Sequence, residues 1–368
     1  MLHPRRNGAL VALVVSALAL LVPSSALASH DLQIYKAEAH FDLSADEAST
    51  SVSCLPGDHA IDGMWRIDHA DQDDYVQPLD LIAGAVDVIA AYPSSDSTYS
   101  FTFEKNAIGR AQVKVWVTCL ADATQGGSHT HHFASAIKSA AGTVGVFSTG
   151  STVVNGTDAT LTRTTIPTSG LTDGNCPSNT LLITPGFQVD PSADITGGEA
   201  VPGMMRLYSS HGSNAKTTWQ WKFENSALPT GTSVTIHFFY RCLNIKVPTG
   251  GFDKHKLVTK NRSSTFNPDP NAVSEGRLNC GDAYKAILAG FDIPENTGPG
   301  ADKPTSDYQG TGLFPASSLS GFHSAFNDVY YLGMDPRIKQ RAYTFGNRGG
   351  TATWPIALTA LCINYRTT

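Results

Sequence analysis

The chain states one pattern three times, and that repeat limits the fold more than anything else in it. Cys54, Cys176 and Cys280 are each followed, without gaps, by Ile at plus seven (Ile61, Ile183, Ile287). An aromatic stands at plus eleven (Trp65, Phe187, Phe291) and a β-branched residue at plus thirteen (Ile67, Val189, Ile293). A second cysteine closes each unit. Ahead of Cys119, Cys242 and Cys362 runs an aromatic-x-Phe phrase with Asn close behind: Phe101-Thr-Phe103 with Asn106, Trp221-Lys-Phe223 with Asn225, and Tyr343-Thr-Phe345 with Asn347. Self-similarity at a fixed period means a tandem array of one small module.

His3, Arg5 and Arg6, an apolar stretch from Ala9 to Val22, and the small-residue site Ala26-Leu27-Ala28 read as a secretory signal peptide. The apolar core is short for a bilayer span and ends at a cleavage site. Asn7 and Gly8 follow Arg5-Arg6 where a twin-arginine signal needs other residues, so general export is expected. A mature chain from Ser29 carries no second long apolar run and no lipidation signal, which predicts a secreted or cell-surface protein with no membrane span.

Six cysteines in an exported chain imply disulfides, and six allow fifteen pairings. Equivalent modules should close equivalent bonds, which selects Cys54–Cys119, Cys176–Cys242 and Cys280–Cys362, separated by 65, 66 and 82 residues. The modules read as β. Val113-Lys-Val115-Trp-Val117 and Ile236-His-Phe238-Phe-Tyr240 alternate with the period of a strand that buries one face. Turn clusters at Pro93 to Asp96 and Asn155 to Asp158 interrupt the apolar runs, and 33 glycines and 20 prolines leave little room for long helices.

The expected fold is therefore all-β: three tandem antiparallel β-sandwich, immunoglobulin-like modules, each closed by one disulfide. The boundaries are 1–28 for the signal peptide, 29–120 for module 1 and 121–145 for a Gly/His linker. Module 2 takes 146–243, a second linker 244–257, and module 3, with a longer loop, 258–368. Trp65, Phe187 and Phe291 are read as core aromatics beside the disulfides. Gly126-Gly127 with His131 and Gly250-Gly251 with His255 recur at the two junctions, which predicts joints of fixed geometry and an array shaped as a jointed rod.

Two clusters could hold metal. His129, His131 and His132 place imidazoles within four residues, suited to zinc or copper. Asp68, Asp71 and Asp73 put carboxylates on one loop, suited to Ca2+, although the spacing fits no EF-hand. Module 3 departs from the repeat: Pro294 stands where the others have Asp68 and Asp190, and its cysteine loop is the longest. Insertions in repeat arrays fall in loops and often carry binding, so Tyr308, Phe314 and Phe322 are the candidate binding residues.

Catalytic signatures are missing: no Gly-x-Ser-x-Gly elbow, no His-Glu-x-x-His, no Walker loop, no dinucleotide fingerprint. Ser135-Ala-Ile-Lys138 matches Ser-x-x-Lys without its partner motifs. A net charge of −6 and only 16% charged residues argue against nucleic acid. The reading is a secreted, non-enzymatic surface protein with a structural or adhesive role, self-assembling into a filament or lattice. The alternative is an extracellular binding array for a glycan or a protein partner, with the module 3 loop as its site.

Overall fold

A computed structural model describes residues 32–45, 47–68, 86–105, 111–124, 130–133, 137–138, 148–155, 160–164, 176–190, 205–212, 217–225, 233–246, 255–269, 272–293, 328–337, 339–348 and 355–367. The first segment, which contains the Cys54–Cys119 pair, carries β1 (Ile34–Leu43), β2 (Glu47–Ser53), β3 (His59–Asp68), β4 (Val86–Pro93), β5 (Thr98–Lys105) and β6 (Ala111–Leu120). The second carries β7 (Ile137–Lys138), β8 (Ser148–Asn155), β9 (Thr160–Thr164), β10 (Thr180–Asp190), β11 (Met205–Gly212), β12 (Trp219–Asn225) and β13 (Ser233–Asn244). The third carries β14 (His255–Phe266), β15 (Ala272–Asn279), β16 (Lys285–Asp292), β17 (Asp328–Arg337), β18 (Gln340–Arg348) and β19 (Ile356–Thr367). The described residues are all-β and every pairing is antiparallel.

Alternation decides which way each strand faces. In β6, Val113, Val115 and Val117 are fully buried, and β5 turns Tyr99, Phe101 and Phe103 inward with no exposure at all. Each segment divides its strands in the same way. The first gives β1-β6-β3 to one sheet and β2-β5-β4 to another; the second gives β8-β13-β10 and β9-β12-β11; the third gives β14-β19-β16 and β15-β18-β17. The three disulfides join Cys54 to Cys119, Cys176 to Cys242 and Cys280 to Cys362, with Cα atoms 5.5 to 5.7 Å apart. At plus three from the first cysteine, Gly57 (φ 90°) and Asn179 (φ 64°) turn the chain through the left-handed region that Gly and Asn tolerate.

The segments do not line up as a rod. Each three-stranded group joins a group from another segment to make a sheet: β4 pairs β10, β11 pairs β16, and β17 pairs β3. The first segment is thus joined to the second, the second to the third and the third back to the first, a cyclic arrangement. The joints fall on the repeat itself. Phe187 and Gln188 face Ala91 and Ala90, Phe291 and Asp292 face Ser210 and Ser209, and Arg66 faces Gly333, all at plus eleven or plus twelve.

Backbone approach explains where the joints hold most closely. A Cβ on Gly186 would lie 2.7 Å from the Ala91 carbonyl oxygen, and one on Gly290 would lie 2.6 Å from that of Ser210. Both glycines stand at plus ten, where the first segment has Met64 instead. The joint at β3 shows a single residue pair, and Met64 packs with Trp116, Leu278, Tyr343 and Phe345 in an apolar cluster between the first and third segments. The linker also takes part: His131 and Phe133, which precede the second segment, pack edge-on against Tyr365 of β19 at 5.4 and 6.2 Å between ring centres.

Candidate functional site

The residues at plus eleven converge. Trp65, Phe187 and Phe291, one from each segment, line a single cavity of about 30 Å³ at the meeting of all three segments, together with Tyr99, Trp221 and Asp62. The core reading of these aromatics stands, at 7%, 2% and 1% exposure, but the core they fill is shared rather than private to each module.

Asp62 is the chemical exception in this centre. Its carboxylate is 3% exposed, accepts hydrogen bonds from the backbone N–H groups of Gly63 and Ala289, and leaves Oδ2 without a partner among the described residues. Burial pushes its pKa up to about 8, against the pull of the Arg341 guanidinium and of the two backbone donors. The nearby phenols of Tyr99 and Tyr343 are raised as well, chiefly by burial. Burial at this site therefore favours the protonated form of the Asp62 carboxyl.

Two buried guanidiniums serve the register shifts of β3 and β16. β3 shifts register between Ala60 and Asp62, and β16 between Ala286 and Leu288. Such a shift breaks the ladder and frees a carbonyl. Arg241 of β13 donates to the Ala60 oxygen at 2.6 Å, so a second-segment side chain completes a first-segment strand. Arg341 of β18 donates to the Ala286 oxygen at 2.8 Å and to Thr118 Oγ1 of β6 at 3.2 Å, which ties the third segment to the first. Ala60 and Ala286 occupy the same place in the repeat, plus six.

Arg241 also opens a polar chain toward the surface. It donates to the Asp96 carboxylate, Asp96 Oδ2 lies 2.7 Å from His59 Nδ1, and His59 Nε2 lies 3.3 Å from Asp122 Oδ1. The other Asp122 oxygen meets His132 Nδ1 at 2.7 Å. Burial alone would lower the His59 pKa, but the two carboxylates outweigh it and the net shift is upward. With a carboxylate at each ring nitrogen, His59 is set up as an imidazolium that bridges acids, not as a base for a nucleophile. Burial opposes ionisation of Asp96, and His59 and Arg241 together hold it below the usual carboxylate range.

The histidines predicted to cluster take different places. His131 is buried against Tyr365, while His132 is exposed and bonded to Asp122. His129 lies outside the described residues, as do Asp71, Asp73, Tyr308, Phe314 and Phe322. Asp68 is the last residue of β3. No group of three or more His, Cys, Asp or Glu suited to a metal ion occurs among the described residues.

Asp62, Arg241 and Arg341 escape a reading by repeat, because their equivalents are apolar or uncharged: Thr184 and Leu288 match Asp62, and Tyr99 and Trp219 match Arg341. Signals were nonetheless present. An Asp inside Ala60-Ile61-Asp62-Gly63-Met64-Trp65 is a charge in a strand that is apolar on both faces, and glycines inside strands at 186 and 290 mark close backbone approach. Comparison with protein-family models finds no match, and comparison with curated proteins finds none either.

Proposed function

We propose that this chain is an exported, non-enzymatic surface protein with a structural or adhesive role, built from three immunoglobulin-like β-sandwich modules fused into one body. The observation that carries the reading is the cyclic sharing of sheets: strands of every segment hydrogen-bond to strands of both others. Three disulfides fit an oxidising compartment. No helix among the described residues is long and apolar enough to cross a membrane.

Sheet edges supply the means of association. β1, β15, β2, β14 and β9 each end a sheet with one side of the backbone ladder unpaired by a described strand. Edges of 7 to 12 residues, such as those of β2, β1 and β14, are long enough to add a strand from another copy. Growth would then add whole closed bodies edge to edge.

The test is electron microscopy with light scattering on residues 29–368, expressed in an oxidising compartment and purified untagged. Regular filaments or sheets that are lost when Lys or Pro is placed at the centre of β1 or β14 support the proposal. A monodisperse monomer at all concentrations removes self-assembly from it.

A further inference from the structure

The free edge of β1 matches a second copy of itself in its backbone and on both of its faces. Among the described strands β1 pairs with β6 alone and ends its sheet. The Ala121 N–H donates to the Gln33 oxygen, and Ile34 stands opposite Leu120. The odd-numbered residues of β1 therefore direct their backbone groups at β6, and those of Lys36, Glu38, His40 and Asp42 point outward, where no described strand meets them.

The side chains alternate in step with the backbone. Lys36, Glu38, His40 and Asp42 are exposed on one face, while Tyr35, Ala37, Ala39 and Phe41 are half-buried on the other, against the shared core. When two such strands run antiparallel about a twofold axis at Ala39, Lys36 stands opposite Asp42 and Glu38 opposite His40, each pair occurring twice, and every outward N–H faces an outward carbonyl. The same register sets Ala37 opposite Phe41 and Ala39 opposite Ala39 on the apolar face, so no two large side chains collide there. Charges on a free edge commonly guard it against pairing. Here their order guards against the wrong registers: a slip of two residues sets Glu38 against Glu38 in one direction, and Glu38 against Asp42 in the other. A slip of four keeps only one of the two kinds of pair.

We propose that β1 is the interface of a twofold-symmetric dimer of this chain, in which antiparallel β1–β1 pairing centred on Ala39 joins two six-stranded sheets into one. This interface rests on the reading that exposed sheet edges mediate association, and it specifies the edge, the partner and the register.

The experiment combines analytical ultracentrifugation with residue-resolved amide exchange on residues 29–368, oxidised and untagged, over a range of concentrations. The wild type should associate, and exchange at the Lys36, Glu38, His40 and Asp42 amides should slow at least about tenfold as concentration rises. His40→Glu opposes two carboxylates at both central pairs and should weaken association at least about tenfold at an unchanged melting temperature. Asp42→Lys, which opposes two ammonium groups at the outer pairs, should weaken it as well and covers the case in which the first variant fails to fold. Adding Lys36→Asp to Asp42→Lys reverses the outer pairs and should restore association. A wild type that stays monomeric at all concentrations overturns this interface together with the edge reading. Association that leaves the four amides exchanging as in the monomer, that both single variants retain at wild-type strength, or that the reversed pair fails to restore overturns β1 pairing alone and leaves assembly to the other edges.

Discussion

Replacing Asp62 by Asn tests the account of the centre, because the substitution keeps the shape and removes the ionisation. An ordinary Asp at 3.8 is raised here to about 8 by burial. The folded state therefore holds a proton that the unfolded chain releases, and stability falls as pH rises between those two values. At about 1.4 kcal/mol per unit, the wild type loses about 6 kcal/mol from pH 4 to pH 8 through this group and nothing further above it. The asparagine avoids that loss but must place an amide where the acid Oδ2 sits, a cost of about 1 to 3 kcal/mol. Arg341 and Arg241, and the raised Tyr99 and Tyr343 phenols, face the same region and keep their charge states across this range. Urea denaturation at pH 4.5, 7 and 9 with disulfides intact gives the difference between the two proteins, in which other titrations cancel. Asp62→Asn should be the less stable protein at pH 4.5 and the more stable at pH 9, with a swing of about 5 kcal/mol. A difference that stays constant across the three pH values would refute the argument.

Gly186→Ala should cost more than about 2 kcal/mol, since its Cβ meets the backbone of β4 at 2.7 Å, whereas Gly57→Ala, with open space around it, should cost only the left-handed strain of about 1 kcal/mol; equal losses in denaturation would count against the joint. His59 has a raised pKa, so its contribution is full at pH below the ordinary histidine value and fades as pH climbs through the raised one. His59→Gln should remove that decline from the stability profile above the ordinary histidine range, and a profile of unchanged slope there would show that the acid–histidine chain contributes nothing. Arg241→Met leaves the Ala60 carbonyl without this donor and Asp96 with His59 alone, and should destabilise by about 3 kcal/mol, with faster amide exchange in β4 and β10 than in β14 and β19 as the local readout. Removing any one disulfide by a Cys-to-Ser pair should cost about 4 kcal/mol, nearly the same for all three, because loops of 65, 66 and 82 residues differ little on a logarithmic scale; a twofold spread in denaturation would point to native-state packing instead.

Much of the strand pattern was open to reading, because burial of alternate residues is a local property. The plus-seven isoleucines Ile61, Ile183 and Ile287 and the plus-thirteen residues Ile67, Val189 and Ile293 are all at most 2% exposed, and the cysteines pair within their own segments. The candidate binding loop at Tyr308 to Phe322 lies outside the described residues, so nothing in the fold bears on it.

The sequence by itself determined the repeat, the strand class and the covalent closure, since each depends on spacing within one unit. Only the tertiary structure decided that three units share sheets in a cycle, that Trp65, Phe187 and Phe291 meet in one cavity, and that Asp62 is enclosed among them. Periodicity records which face of a strand is buried, but not which neighbour buries it. The choice among neighbours rests on backbone edges and close approach, at Ala91, Ser210 and Gly333, where the sequence offers small residues and no pattern.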